Sequence, residues 1–129
     1  LKDALKLDPQ SAPLALRIAG IYVVSLRKFE AAQRYAEQAL RAAPDLIETY
    51  QMLYSIHRAE GRPNEARRVL LAAEKRKNDD PEFWAGVGDL WLRQQRNEAG
   101  GAEKAAAEAA LRHYRRAVDL AQQDAAVLV

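Results

Sequence analysis

A period of 34 residues runs through this chain and constrains its fold more than any other feature. Leu16, Tyr50 and Trp84, all large and apolar or aromatic, are spaced by that step. Other positions repeat at the same interval: Gly20, Tyr54 and Gly88; Ala32 and Ala66; Ala39 and Ala73. A fixed period of this length indicates stacked helical hairpins, because a single hairpin cannot bury its apolar side alone.

The composition fits a single repeat domain and excludes several other classes. The chain has 129 residues, of which 49% are hydrophobic by type, enough for a core spread along an array. With 20 Lys and Arg against 18 Asp and Glu, the net charge of +2 gives no indication of a nucleic-acid or membrane partner. The absence of cysteine is compatible with the cytoplasm or the periplasm. No apolar run approaches the roughly 18 residues of a membrane span.

Residues at the expected helix boundaries predict two helices in the first third of the chain. An apolar seam at i, i+3, i+4 and i+7 indicates a helix from Pro13 to about Leu26. A short turn leads to a second helix from Phe29 to Ala42, which Pro44 ends. Since the chain begins with a leucine and without a signal-peptide pattern, we expect a fragment of a larger array.

The middle of the chain predicts a second pair of helices. Asp45 and Glu48 have the spacing of a capping box for the third helix. Gly61 can take the left-handed conformation after its last turn, and Pro63 suits the first turn of the fourth helix.

The third pair of helices contains an insertion. The fifth helix begins at Pro81 with Asp80 as its cap. The period then breaks at the loop-like residues 97–101, and a shift of ten residues restores it in the sixth helix, at Ala110, Tyr114 and Ala117. We therefore predict a long sixth helix from Ala102 to about Gln123, which its alanine content favours.

These boundaries divide the single domain, residues 1–129, into repeats. Residues 1–11 end a preceding repeat, 12–46 form repeat 1, 47–80 form repeat 2, 81–124 form repeat 3 with a ten-residue insertion near 97–106, and 125–129 begin a next repeat. Both ends then expose seam residues that a neighbouring repeat would cover: Leu5, Leu7, Val127 and Leu128. We expect end-to-end self-association of the fragment, or frayed ends.

The register of these positions resembles the tetratricopeptide repeat family. In the family's pattern, a large or aromatic position, or slot, lies at each end of the first-helix seam. The slot at the start of the seam holds Leu16, Tyr50 and Trp84 in successive repeats, and the slot at its end holds Val23, His57 and Trp91. The small slots of the second helix hold Ala32, Ala66 and Ala110, then Ala39, Ala73 and Ala117. Tyr54 departs from a slot that is small in the family, and the closing proline, present at Pro9 and Pro44, is replaced by Asn78 and Gln122.

The resemblance implies an all-α, right-handed superhelical array of antiparallel helical hairpins, with about three repeats plus partial ends. It also implies a non-catalytic scaffold for protein–protein interaction, which binds a segment of a protein or peptide partner in a concave groove lined by the first helices. A residue two positions along the chain from a seam residue is rotated by about 200° around the helix axis, so it lies on the opposite face of the helix. The expected groove residues are Leu14, Arg17, Ile21, Val24, Glu48, Gln51, Ser55, Arg58, Glu82, Asp89 and Arg93.

No pattern of residues predicts catalysis, a cofactor or a metal site. His57 occupies a core slot, where we expect it to bond a carbonyl, and His113 lies in sequence beside Arg112 and Arg115, poor neighbours for a cation. Residues 86–88 contain two glycines but lack the third glycine and the preceding strand of a phosphate loop. We therefore expect that the protein is not an enzyme.

Two alternatives to groove binding remain open. A basic set on the expected convex face could bind RNA or an anionic surface: Arg62, Arg67, Arg68, Lys75, Arg76, Lys77, Arg112, Arg115 and Arg116. No aromatic residue interleaves the charges between Arg62 and Lys77, which argues against nucleic acid. The other alternative is a structural or regulatory arm of a larger multidomain protein. The salt dependence of binding separates groove binding from phosphate binding, since phosphate contacts release counterions.

Overall fold

The fold is all-helical, as the sequence predicts. The computed structural model describes residues 8–98 and 100–128, with side chains to Gln123, and contains no strand within these ranges. The helices are α1 (Ala12–Val24), α2 (Phe29–Ala42), α3 (Ile47–Ala59), α4 (Pro63–Glu74), α5 (Pro81–Gln95) and α6 (Ala102–Leu128). A 3-10 turn, Pro9–Ser11, precedes α1. The expected end of a preceding repeat at Leu5 and Leu7, and the side chains of Val127 and Leu128, lie outside the described residues.

The helices form two compact units, one up to Val69 and one from Leu70 onward, with the boundary inside α4. In the first unit α1 packs against α2 and α3. One cluster of its core consists of Ala12, Ala15, Leu16, Ala19, Val23, Ala32, Ala36, Ala39, Leu53 and Ile56. Six of these ten are alanine, so short side chains separate the helices and a larger residue there would have to displace a neighbour.

The second unit contains the end of α4 and the helices α5 and α6, which pack against each other with complementary side chains. α5 contributes the bulky part of the core: Phe83, Trp84, Val87, Leu90 and Trp91. α6 contributes mainly small residues: Ala106, Ala109, Ala110, His113 and Ala117. Large side chains on one helix thus face small ones on the other, which allows close packing.

The large positions and the alanine positions that carry the 34-residue period are buried, as the predicted register requires. Leu16, Tyr50 and Trp84 are buried, as are the small slots at Ala32, Ala66, Ala110, Ala39, Ala73 and Ala117. Tyr54, the departure from a small slot, is also buried, at 1% exposure. These large and small positions are therefore core residues.

Several predicted turns are confirmed. Gly61 has a φ of 75° between α3 and α4, in the left-handed region that favours glycine. Asp80 caps α5, since its carboxylate accepts a hydrogen bond of 3.0 Å from the backbone N of Glu82. The predicted loop at residues 97–101 contains Gly100 and Gly101, both with positive φ, before α6 begins at Ala102.

Two helix boundaries near the start of the chain differ from the prediction. The capping box of Asp45 and Glu48 is wrong: the N-cap of α3 is Leu46, whose side chain makes no capping hydrogen bond. Burial of Ile47 decides where α3 begins. α1 also ends at Val24, two residues before the predicted end at about Leu26, and Arg27 in the turn that follows has a φ of 51°.

The end of α6 is a third correction. This helix continues to Leu128, past the predicted end at about Gln123. Residues 125–128 therefore lie in α6, where we expected a next repeat to begin. The physical reason is local: α6 contains no proline or glycine and is rich in alanine, so nothing in its sequence breaks the hydrogen-bond ladder.

Candidate functional site

A cleft of about 330 Å³ opens between α1 and α3 in the first unit. We call it the α1–α3 cleft; its lining is Pro13, Leu16, Arg17, Gly20, Leu46, Glu48 and Met52. Most of these side chains are apolar. At Gly20 an added Cβ would lie 3.6 Å from Cε of Met52, an ordinary van der Waals distance. The cleft is therefore an apolar depression with one cation and one anion beside it.

Arg17 and Glu48 place opposite charges at the same cleft. Both side chains are exposed. Neither forms an ion pair or hydrogen bond with another residue in the part of the chain that the structure describes. Both groups were predicted as groove residues, and the structure brings them together. A bound segment could therefore contact a guanidinium and a carboxylate without first breaking an internal pair.

Exposed apolar side chains continue from the cleft along α1. Leu14, Ile21 and Val24, all predicted groove residues, are exposed at 58%, 57% and 77%. Ile18 and Leu26 are exposed as well, although the sequence analysis did not single them out. Scattered surface leucines are ordinary, but several on a single helix beside a cleft indicate an interaction surface.

The remaining predicted groove residues of α3 are less accessible. Gln51, Ser55 and Arg58 are half-buried. The hydroxyl of Ser55 donates a hydrogen bond of 3.0 Å to the backbone O of Gln51, one turn earlier in the same helix. Ser55 thus has its donor occupied within α3.

In the second unit the predicted groove residues belong to α5. Glu82 is exposed in the first turn of the helix and Arg93 is half-buried. Asp89 accepts a hydrogen bond from the hydroxyl of Tyr114 on α6. Partial burial, this hydrogen bond and the charge of Asp89 raise the pKa of Tyr114 from 10.0 to about 12. Because Asp89 is bonded to Tyr114, a ligand would have to share or replace that contact, and its role in a groove stays a prediction.

The two histidines are core residues with carboxylate neighbours. Nδ1 of His57 faces Oε1 of Glu60 at 3.4 Å, so the neighbour of this nitrogen is a carboxylate instead of the expected carbonyl. Nε2 of His113 donates to Oε2 of Glu74 at 2.6 Å, and its ring stacks on Trp84. Within residues 8–98 and 100–128, no three His, Cys, Asp or Glu side chains are grouped to hold a metal ion.

Members of the basic set in each unit make internal contacts. Arg68 pairs with Glu65 at 3.1 Å. The guanidinium of Arg116 lies 3.8 Å from the ring centre of Trp84, which is fully buried. Trp84 therefore has no free face on which a nucleic-acid base could stack.

Comparison with known families decides the identity of the repeat. A family model described as Tetratricopeptide repeat matches residues 23–90, just over half of the chain. The chain belongs to the tetratricopeptide repeat family. The match confirms the resemblance, and it extends from the end of α1 into α5. Comparisons with curated proteins and with solved structures each find no match.

Membership of this family has general consequences. Tetratricopeptide repeats generally mediate protein–protein interaction and are typically non-catalytic scaffolds. A protein is therefore the class of partner to expect. Among the described residues, no helix is long and apolar enough to cross a membrane.

The cleft lining shows which site residues the sequence analysis missed. Five residues line the α1–α3 cleft but were not predicted as groove residues: Pro13, Leu16, Gly20, Leu46 and Met52. The rule that selected positions two residues from each seam finds the outward face of one helix. It does not find positions that face the space between two neighbouring helices, of which Met52, directly after Gln51, is an example.

Proposed function

We propose that this protein is a non-catalytic interaction module that binds a segment of a partner protein on the surface of α1 and α3. This binding surface comprises the α1–α3 cleft and the exposed side chains of Leu14, Ile21 and Val24. The observation that carries the proposal is the apolar cleft, continuous with exposed apolar residues and flanked by two charges unpaired among the described residues.

Apolar area and charge have different roles in such a surface. Burial of Leu14, Ile21 and Val24 under a partner removes apolar area from water, which favours association. Arg17 and Glu48 contribute little net affinity at an exposed rim, but opposite charges determine the direction and register of a bound segment. The combination suits a chain segment with apolar and charged residues in alternation.

The length of the surface favours a polypeptide over a small molecule. From Leu14 to Val24 the helix axis rises about 15 Å, at 1.5 Å per residue. The cleft occupies only part of this length and lies at the small end of ligand pockets, which span roughly 300–1,000 Å³. An extended or helical partner segment can fill the cleft and continue along α1.

Substitution of Ile21 by aspartate tests the proposal. Because Ile21 is exposed, Ile21→Asp should leave the helical circular dichroism and the melting temperature close to those of the wild type. Peptides enriched on the wild-type chain from a random phage-displayed library should bind this variant at least about tenfold more weakly, the loss expected when one buried apolar contact is replaced by a charge. Leu111→Asp is a matched control, since Leu111 is 50% exposed on α6, and should bind as the wild type does.

Charge variants separate this proposal from the alternatives. Arg58→Glu should weaken peptide binding and change its salt dependence, whereas the double variant Arg67→Glu with Arg68→Glu should leave it intact. If the double variant loses binding while Ile21→Asp keeps it, the proposal is wrong and the basic set is the binding site. If the library yields no peptide that binds the wild type, the role of a structural arm is favoured instead.

A further inference from the structure

Two glycines at the same repeat position have different environments. Gly20 on α1 and Gly88 on α5 are two steps of 34 residues apart. A Cβ on Gly88 would lie 2.8 Å from Cε1 of the Tyr114 ring and 2.9 Å from Cζ, closer than real Cβ contacts. A larger residue at position 88 would therefore force the Tyr114 ring to move.

Packing does not require a glycine at position 20. The nearest described atom to a Cβ there is Cε of Met52 at 3.6 Å, an acceptable contact. The backbone of Gly20 is helical and lies in the interior of α1, where glycine is among the least favourable residues. A glycine at position 20 thus makes α1 less stable than an alanine would, and it does not bring a neighbouring helix closer to α1. Its consequence in the structure is the open space of the α1–α3 cleft, which Gly20 lines.

We infer that Gly20 keeps the cleft open for one aliphatic or aromatic side chain of a partner segment. In that segment, the residue next to this side chain on the Arg17 side is acidic, and the residue next to it on the Glu48 side is basic. This inference rests on the proposed function and specifies its ligand. The apolar lining from Leu16, Leu46 and Met52 selects an apolar side chain, because a polar group there would lose its hydrogen bonds to water. The volume of about 330 Å³ suits one large side chain.

The two charges define the neighbours of that side chain. Arg17 lies on α1 and Glu48 lies on α3, so the cleft has one charge on each wall. A segment that crosses the cleft meets the guanidinium on one wall and the carboxylate on the other. The preferred order of an acidic, an apolar and a basic residue follows from complementarity to these two groups.

Replacement of Gly20 by a larger residue, whose side chain would fill the cleft, tests this inference. Gly20→Ala and Gly20→Leu should both fold, with a melting temperature at or above that of the wild type, since glycine is removed from a helix interior. Peptides enriched from the random library on the wild-type chain should bind Gly20→Leu at least about tenfold more weakly, because the leucine takes the place of the partner's apolar side chain. Gly88→Ala is the matched control: it should lower the melting temperature and leave the affinity of the folded protein unchanged.

A charge exchange tests the neighbours. Arg17→Glu should weaken binding of the enriched peptides. Replacement of the acidic residue in the peptide by lysine should restore binding to this variant and weaken binding to the wild type. Glu48→Lys should show the same reciprocity with the basic residue of the peptide. Mutual rescue of this kind requires that the paired groups be close to each other in the complex.

The outcomes distinguish this inference from the proposed function. If the peptides no longer bind Ile21→Asp but bind Gly20→Leu normally, the assignment of the cleft is wrong and the proposed surface stands. Peptides insensitive to both variants would overturn both. If Gly20→Leu also lowers the melting temperature, the cleft is occupied by the protein's own residues and the inference is wrong.

Discussion

Glu74 at the end of α4 and His113 in α6 are joined by a hydrogen bond of 2.6 Å, although 39 residues separate them. The same carboxylate oxygen accepts a hydrogen bond of 2.7 Å from Nε1 of Trp91. His113 also stacks on Trp84, whose indole N donates to the backbone O of Asn78 at 2.7 Å. A single carboxylate thus connects α4, α5 and α6 of the second unit.

We expect this connection to be a measurable part of stability. His113→Ala should lower the free energy of unfolding by about 1.5–3 kcal/mol, the range for hydrogen bonds to charged groups. Urea denaturation of His113→Ala, Glu74→Ala and the double variant should give a coupling energy of about 0.5–3 kcal/mol. Strictly additive losses would show that the two side chains do not stabilise each other.

The two glycines of the repeat slot should respond to alanine with opposite signs. Gly20→Ala should raise the free energy of unfolding by up to about 1 kcal/mol, because it removes a glycine from a helix interior. Gly88→Ala should lower it, since overpacking against Tyr114 costs about 1–3 kcal/mol and exceeds the gain in helix propensity. The loss at Gly88 should shrink in a Tyr114→Ala background; an undiminished loss would contradict the assigned clash.

The small slots of the second helices should not accept larger side chains. Ala66 is 0% exposed in α4, so Ala66→Leu should cost about 1–3 kcal/mol by overpacking. Ala105, exposed near the start of α6, is the matched control, and Ala105→Leu should change stability by no more than about 0.5 kcal/mol. Equal shifts of the urea midpoint for both variants would refute the register.

The phenol of Tyr114 should lose its proton at a higher pH than that of an ordinary tyrosine. Its pKa is raised from 10.0 to about 12, so the protonated phenol is favoured in the folded state. The stability that this group contributes is complete below about pH 10 and is lost as the pH rises through about 12. Ultraviolet absorbance of the phenolate should show a late step in the wild type that is missing in Tyr114→Phe. A wild-type titration complete near pH 10 would contradict the hydrogen bond to Asp89.

Helical periodicity made most of the fold predictable from the sequence. Leu16, Tyr50 and Trp84 could be assigned to the core because a seam at i, i+3, i+4 and i+7 depends only on the geometry of one helix. The turn at Gly61 and the cap at Asp80 were predictable for the same reason: a left-handed φ and a side-chain cap involve residues close together in the chain.

Competition between local signals and burial explains the errors. Asp45 and Glu48 have the spacing of a capping box, but α3 begins at Ile47 because its side chain is buried. Where no breaker is present, propensity alone continues a helix, as in α6 beyond Gln123. A one-dimensional pattern cannot weigh a cap worth about 1 kcal/mol against the burial of a side chain worth about 1.5–3 kcal/mol.

The sequence by itself determined the repeat, the seams, the small slots and the outward face that carries Leu14, Ile21 and Val24, because each follows from distances within one helix. Only the tertiary structure decided that Arg17 and Glu48 share a cleft, that Met52 leaves room above Gly20, and that Glu74 bonds to His113. These relationships depend on how neighbouring helices are placed against each other. That placement results from the packing of many side chains at once and has no counterpart in the spacing of residues along the chain.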